Sequence, residues 1–136
     1  MAREIETKCI HLEEEENSIN HYGAISYPIY QSATYAHPGV GQSTGYDYSR
    51  LQNPTREHLE KTVASLENGI DALAFSSGMA AITLMMELFK PGDHLIVDAD
   101  LYGGSIRLFN HVSEKNGIEF SSVDCHKENV AASVSY

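Results

Sequence analysis

Basic residues are scarce in this chain, and long apolar runs are absent. Nine lysines and arginines stand against 19 aspartates and glutamates in 136 residues. The formal net charge of −10 argues against a nucleic-acid surface and against binding to anionic membranes, because phosphate groups attract clusters of basic side chains. Since the sequence has no apolar run of about 18 residues, it predicts no transmembrane helix.

Cysteine is scarce as well. Cys9 and Cys125 lie far apart and form no metal-binding or redox motif, so no metal site is predicted. Residues 1–6 lack the apolar stretch of a signal peptide. These features favour a cytoplasmic protein with reduced thiols.

The chain changes in character near residue 52. Residues 1–52 have poor periodicity, an acidic run at residues 13–16 and a loop-like stretch at residues 38–45. The acidic run predicts the solvated face of a short helix. A long irregular segment of this kind indicates function or packing against a partner.

Regular periodicity begins at Asn53, where a capping residue and a proline follow each other as at a helix start. Leu59, Val63 and Leu66 then share one helical face. The predicted elements are a helix from Pro54 that ends near Asn68–Gly69, a buried strand at Asp71–Phe75, a helix at Gly78–Phe89, a strand at His94–Asp98, a turn at Leu101–Ser105, a helix at Ile106–Lys115, a strand at Ile118–Val123 and a further segment from His126. This alternation predicts a parallel α/β sheet, whose ligands bind at the carboxyl ends of the strands.

The turn after the first predicted strand is suited to an anion. Ser77 and Gly78 lie where a strand passes into a helix, and the first N–H groups of a helix lack partners at the positive end of its dipole. A phosphate is the usual ligand of such a place. The structural alternative is a tight turn in which Gly78 supplies backbone freedom and Ser77 caps the helix.

Two further places carry side chains for the same kind of ligand. Tyr102 follows the next strand beside Gly103 and Gly104, where a flat group has room to approach and a ring can stack on it. Arg50 can bind a phosphate with two parallel donors, and Tyr48 adds a hydroxyl. The alternatives are a partly buried surface tyrosine and an exposed arm with an incidental arginine.

In their order and spacing, these stretches resemble one family. Tyr48–Thr55, Ser77–Ala81 and Tyr102–Gly103 match its Tyr-Ser-Arg-x-x-Asn-Pro-Thr, Ser-Gly-Met-(Ala/Ser)-Ala and Tyr-Gly patterns, and residues 23–35 fit its N-terminal arm. The chain is similar to the transsulfuration enzymes of Cys/Met metabolism: cystathionine γ-synthase, cystathionine γ- and β-lyases, O-acetylhomoserine sulfhydrylase and methionine γ-lyase. These are pyridoxal-phosphate (PLP) enzymes.

The resemblance implies an α/β fold, namely the N-terminal part of the aspartate-aminotransferase-like (fold type I PLP) large domain. Residues 1–52 would form an extended arm that contacts a neighbouring subunit, and residues 53–136 would form the first part of the PLP-binding domain. Tyr48 and Arg50 would reach the cofactor phosphate of that neighbour. The implied partners are a small-molecule amino-acid substrate and further copies of the chain, in a dimer-based homotetramer with shared active sites.

The resemblance also assigns roles around the cofactor, pyridoxal 5′-phosphate. The backbone N–H groups of Gly78 and Met79, together with Ser77, would hold its phosphate. Tyr102 would stack on the pyridine ring and assist proton transfer or departure of the leaving group. Methionine γ-lyases typically have a cysteine where this chain has Gly104, which disfavours that activity.

The groups that complete PLP chemistry are missing from the sequence. The cofactor aldehyde needs a lysine, which this family carries in a Ser-x-Thr-Lys context, and none of the five lysines has that context: Lys8, Lys61, Lys90, Lys115 and Lys127. The chain is therefore expected to be the first third of a longer enzyme, and to be inactive and poorly stable by itself.

The favoured function is that of an N-terminal fragment of a cystathionine γ-synthase or γ-lyase, acting on sulfur amino acids or O-acylhomoserine. An O-acetylhomoserine sulfhydrylase or a methionine γ-lyase is the alternative within the family. A non-catalytic phosphate-binding module is the alternative from another class. A nucleotide-binding domain is least favoured, because the sequence has neither G-x-G-x-x-G nor a P-loop.

Overall fold

Four helices and two strands form within residues 4–10, 24 and 26–125, which are the residues that the computed structural model of the chain describes. In chain order they are α1 (Ile5–Lys8), α2 (Pro54–Leu66), α3 (Gly78–Met86), β1 (His94–Asp98), α4 (Gly103–Asn116) and β2 (Glu119–Val123). The chain divides into two compact units, Met1–Ala74 and Phe75–Tyr136. The sequence predicts a different division, into an arm of residues 1–52 and a domain of residues 53–136. That division stays a prediction.

In the first unit, α2 begins where the sequence predicts. The side-chain oxygen of Asn53 accepts hydrogen bonds from Thr55 N–H (2.9 Å) and Arg56 N–H (3.4 Å), and Pro54 occupies the first helical position. Asn53 thereby satisfies donors that the helix itself cannot satisfy, and Pro54 has no N–H to satisfy.

Residues 26–52 are irregular, as predicted. An antiparallel bridge between Thr34 and Tyr48 is the only strand-like pairing within this stretch. It brings the two halves of the stretch side by side just ahead of α2. The acidic run at residues 13–16 lies outside the described residues.

The prediction of a strand at Asp71–Phe75 is wrong. Ala74 N–H donates to Glu60 Oε1 (2.8 Å) instead of to a strand, and Leu73 is 64% exposed. A strand needs a neighbouring strand for its backbone hydrogen bonds, and none pairs with this stretch in the described part of the chain.

The second unit contains a parallel pair of strands, as predicted. β1 and β2 run in register from His94 opposite Glu119 to Asp98 opposite Val123. The predicted bounds of β1 are confirmed, and β2 begins one residue later than predicted. The α/β fold class is confirmed.

The core of the second unit is apolar. It consists of Met86, Val97, Phe109 and Ile118, which come from α3, β1, α4 and the residue before β2. The Phe109 ring lies 6.2 Å from that of Phe120. Each side chain of this size stabilises the fold by roughly 1.5–3 kcal/mol when fully buried. This core packs α3 and α4 against the strand pair of the second unit.

Two helices of the second unit differ from their predicted bounds, α3 at its C-terminus and α4 at both ends, since α4 also extends one residue beyond Lys115 to Asn116. α3 ends at Met86 rather than Phe89, because the following N–H groups donate three residues back and tighten the last turn. α4 begins at Gly103 rather than Ile106, because the Tyr102 carbonyl already accepts the first helical hydrogen bonds.

Apolar side chains are exposed on both units. Leu59 and Val63 on the predicted apolar face of α2 are 54% and 41% exposed, and Leu88 after α3 is 77% exposed. Among the described residues, no helix combines the length and apolar character that spanning a membrane requires.

Candidate functional site

The N-terminus of α3 has two unused backbone donors. Ser77 caps the helix, and its Oγ accepts a hydrogen bond from Ala80 N–H at 3.1 Å. The N–H groups of Gly78 and Met79 find no acceptor in the part of the chain that the structure describes. Because adjacent N–H groups at a helix N-terminus attract anions, this turn is suited to a phosphate.

Gly78 is not explained by backbone conformation. Its φ lies outside the left-handed region, so the turn does not require glycine there. A Cβ at this position would meet nothing within 4 Å. The turn therefore faces open space that a bound group can fill. Ser77 caps the helix as the structural alternative states, whereas Gly78 does not supply the backbone freedom that this alternative names.

Tyr102 stands at the start of α4 with its side chain 74% exposed. Its ring lies over Gly104, where a Cβ would clash with ring atom Cε1 and would lie 3.0 Å from Cδ1. A Cβ at Gly103 would meet nothing within 4 Å. The sequence predicts open space for a flat ligand beside both glycines. The structure has that space at Gly103, whereas the Tyr102 ring occupies it at Gly104.

Ser105 joins the two turns of the second unit. Its backbone N–H donates to the Tyr102 carbonyl at 2.8 Å, and its Oγ lies 3.9 Å from Met79 Sδ. The Ser105 side chain is buried, with 4% of the residue exposed. The starts of α3 and α4 are therefore in direct contact, and the residues predicted there form one local group.

Tyr48 and Arg50 are brought together in the first unit. The Arg50 guanidinium carbon lies 5.0 Å from the centroid of the Tyr48 ring, within the range of a cation–π contact. Both residues are exposed. Arg50 forms no hydrogen bond or ion pair with any residue that the structure describes, so its guanidinium is available to an anion.

The polar framework behind Arg50 was not predicted from the sequence. Besides capping α2, Asn53 directs the two hydrogens of Nδ2 toward three oxygens that share them: Tyr30 O (3.1 Å), Tyr35 Oη (3.2 Å) and Ser49 Oγ (3.0 Å). Arg56 donates to two backbone carbonyls of the same turn. The sequence shows Asn53 only as a helix cap, and Arg56, which follows the matched Tyr48–Thr55 stretch, has no sequence signal of its own.

A cavity of about 550 Å³ lies in the first unit, and four of the charged residues that line it form two ion pairs, Arg56 with Glu60 and Lys61 with Glu57. Tyr46 Oη donates to Glu57, and Lys61 Nζ lies 2.6 Å from Glu57 Oε1. The hydrogen bonds from Lys61 and Tyr46 lower the pKa of Glu57, whereas burial and the Glu57 carboxylate raise the pKa of Tyr46. Within the described ranges, no cluster of His, Cys, Asp and Glu is suited to a metal ion.

Residues 6–135 match the family of Cys/Met metabolism PLP-dependent enzymes. The chain belongs to this family. Pyridoxal phosphate is the family's cofactor, so the resemblance and the cofactor expected from the sequence are confirmed at the level of the family.

Individual relatives agree with this membership. The chain is 47% identical over 135 residues to a cystathionine γ-synthase/O-acetylhomoserine (thiol)-lyase of Bacillus subtilis (strain 168), covering 96% of this chain and 36% of that protein. It is 40% identical to the solved cystathionine γ-lyase of Lactobacillus plantarum complexed with L-serine, with a TM-score of 0.82, covering 98% of this chain and 34% of the other.

A third relative is the solved cystathionine γ-synthase of Xanthomonas oryzae pv. oryzae in complex with aminoacrylate and cysteine. It is 34% identical, with a TM-score of 0.83, and the match covers 97% of this chain and 34% of the other. The chain thus spans about a third of the length of the relatives it matches.

Proposed function

We propose that this chain supplies the cofactor-phosphate site of a PLP-dependent transsulfuration enzyme of the cystathionine γ-synthase or γ-lyase type. The observation that carries the proposal is the pair of unused N–H donors of Gly78 and Met79, which face open space at the start of α3. A phosphate would accept from both donors at the positive end of the helix dipole. The bound cofactor would supply the electron sink for breaking bonds next to the substrate amino group.

In this proposal Tyr102 binds the cofactor ring. Its exposed side chain stands beside the phosphate turn, and Ser105 holds the two turns in contact. A ring at this place can stack on the flat pyridine, and its hydroxyl can move a proton at the substrate. Tyr102 is therefore the proposed catalytic residue of the chain.

We also propose that Tyr48 and Arg50 complete the phosphate site of a neighbouring subunit. The free guanidinium of Arg50 supports this, since it offers two parallel donors to phosphate oxygens. Sharing sites in this way requires a homo-oligomer, for which we propose the dimer-based tetramer. Residues 1–52 are the proposed arm that reaches the neighbour. The cytoplasmic location stays a prediction.

The proposed substrates are small amino acids of sulfur metabolism. Support comes from the solved relatives, one in complex with L-serine and another with aminoacrylate and cysteine. The Bacillus subtilis relative is named both a cystathionine γ-synthase and an O-acetylhomoserine (thiol)-lyase. That double name makes the thiol-lyase activity the second candidate for the enzyme to which this chain belongs.

Titration with a cofactor analogue tests the phosphate site. Pyridoxine 5′-phosphate is suitable because it lacks the aldehyde and does not react with lysines. We expect it to shift the amide signals of Gly78 and Met79 in NMR spectra of the 136-residue chain, and pyridoxine without phosphate to leave them unchanged. The amides of Thr55 and Arg56 are the internal control, because Asn53 already caps them. Equal shifts with both compounds, or no shift at the two α3 amides, would contradict the proposal.

A further inference from the structure

Arg56 holds the backbone on both sides of Arg50. Its guanidinium donates from Nη1 to Ser49 O at 3.1 Å and from Nη2 to Leu51 O at 2.5 Å. Since these carbonyls belong to the residues immediately before and after Arg50, the two bonds fix the direction in which the Arg50 side chain leaves the chain.

The turn around Arg50 has backbone bonds of its own. Leu51 N–H and Gln52 N–H both donate to the Tyr48 carbonyl, at 2.9 and 3.0 Å. The Arg50 guanidinium is then placed over the Tyr48 ring. The side chains of Tyr48 and Arg50 are thus exposed, whereas the backbone that carries Arg50 is held by hydrogen bonds from Arg56.

Glu60 holds Arg56 in turn. Its Oε1 lies 3.7 Å from Arg56 Nε and also accepts the Ala74 N–H at 2.8 Å. The Glu60 side chain is 16% exposed and that of Arg56 is 34% exposed, so both are partly shielded from solvent. Glu60 Oε1 therefore contacts both Arg56, which holds the turn around Arg50, and the backbone of Ala74.

A lysine cannot replace Arg56 in this arrangement. The guanidinium is planar and points two donors at two separate carbonyls, whereas an ammonium is a compact point charge on a flexible stem. Binding both carbonyls therefore requires two donors at fixed positions in one plane, and a positive charge alone does not provide them.

We propose that Arg56 is a positioning residue that orients Arg50 for phosphate binding, and that Glu60 anchors it. The proposal rests on the proposed function for the role of Arg50, but the placement of Arg50 itself is independent of any ligand. Arg56 would therefore belong to the cofactor site without touching the cofactor.

The experiment compares Arg56→Lys with the unaltered chain by NMR. In the unaltered chain the Tyr48 ring should shift the side-chain protons of Arg50, and Arg56→Lys should remove that shift. Amide exchange at Leu51 and Gln52 should become about 10-fold faster, as expected from the loss of one hydrogen bond, while exchange within α2 stays unchanged.

Glu57→Gln is the matched control. It removes one charge from the same helix and breaks the ion pair with Lys61, but the Glu57 carboxylate forms no hydrogen bond or ion pair with the Arg56 guanidinium among the described residues. We expect it to leave the Arg50 signals and the exchange at Leu51 and Gln52 unchanged.

The possible outcomes separate this proposal from the proposed function. If the Arg50 signals stay in place in Arg56→Lys, or if exchange quickens equally throughout α2, then Arg56 has no positioning role. If the Arg50 signals move as expected but Arg50→Ala in the assembled holoenzyme retains pyridoxal phosphate as tightly as before, the positioning role stands and the assigned role of Arg50 fails.

Discussion

The helices α2 and α3 begin in similar ways, yet only one start is open to a ligand. At α2, Asn53 caps Thr55 and Arg56, and Pro54 has no N–H to offer. At α3, Ser77 caps Ala80 alone. The comparison shows that a capping residue does not by itself distinguish a structural helix start from a binding site. The number of donors left after capping does.

The two starts also differ in what surrounds them. The side chain of Asn53 is bonded on its other side to three oxygens of the preceding segment, whereas that of Ser77 makes no second hydrogen bond among the described residues. Several side-chain hydrogen bonds therefore stabilise the start of α2, whereas a single capping bond stabilises the start of α3.

The largest expected effect is at Asn53. Asn53→Ala removes both the cap and the donor side of the amide, and we expect it to lower the free energy of unfolding by about 2–3 kcal/mol. Urea unfolding followed by circular dichroism measures this. Asn53→Asp is the matched variant, because it keeps the capping oxygen and loses the Nδ2 donor. Its added negative charge is favourable at a helix N-terminus, so its cost should be about half. An equal cost for both variants would show that the cap contributes nothing.

A smaller effect is expected at Ser77. Ser77→Ala removes a single capping bond and should cost about 1 kcal/mol in the same urea experiment. It should leave the amides of Gly78 and Met79 able to bind phosphate, since those donors do not depend on the Ser77 side chain. If Ser77→Ala lowered the free energy of unfolding as much as Asn53→Ala, the two helix starts would not differ in stability as we propose.

Much of this comparison could be predicted from the sequence, because its signals are local. The pair Asn53–Pro54 and the residue Ser77 mark helix starts by type and position alone, and both starts are confirmed. The strand β1 was predictable for the same reason, since it contains a short apolar run, Leu95–Val97, between turn residues.

The rest depends on contacts between distant residues, which one sequence does not show. The segment Asp71–Phe75 has the composition of a strand, but forming one requires a partner strand. The bonds of Arg56 end on backbone carbonyls, which have no residue type to recognise. The need for glycine at position 104 becomes visible only when the Tyr102 ring is seen lying over it.

The smallest expected effect is at the two glycines that open α4. Gly103→Ala adds a methyl group in open space and should be neutral or stabilise the chain by up to about 1 kcal/mol, because alanine favours a helix. Gly104→Ala makes the Tyr102 ring move, so the gain should be lost and the NMR signals of the ring should shift. If both variants shift the ring signals equally, the Tyr102 ring does not lie over Gly104.

The most direct test converts the start of α3 into one like that of α2. Gly78→Pro removes one of the two free N–H groups at a position where proline fits a helix, and the extended backbone of Ser77 (φ −158°, ψ 157°) accepts a following proline. Gly78→Ala keeps the N–H and is the control. We predict that Gly78→Pro weakens binding of pyridoxine 5′-phosphate about 10–100-fold relative to Gly78→Ala, with helical circular dichroism unchanged. Equal affinity of the two variants would contradict the assignment of this turn as the phosphate site.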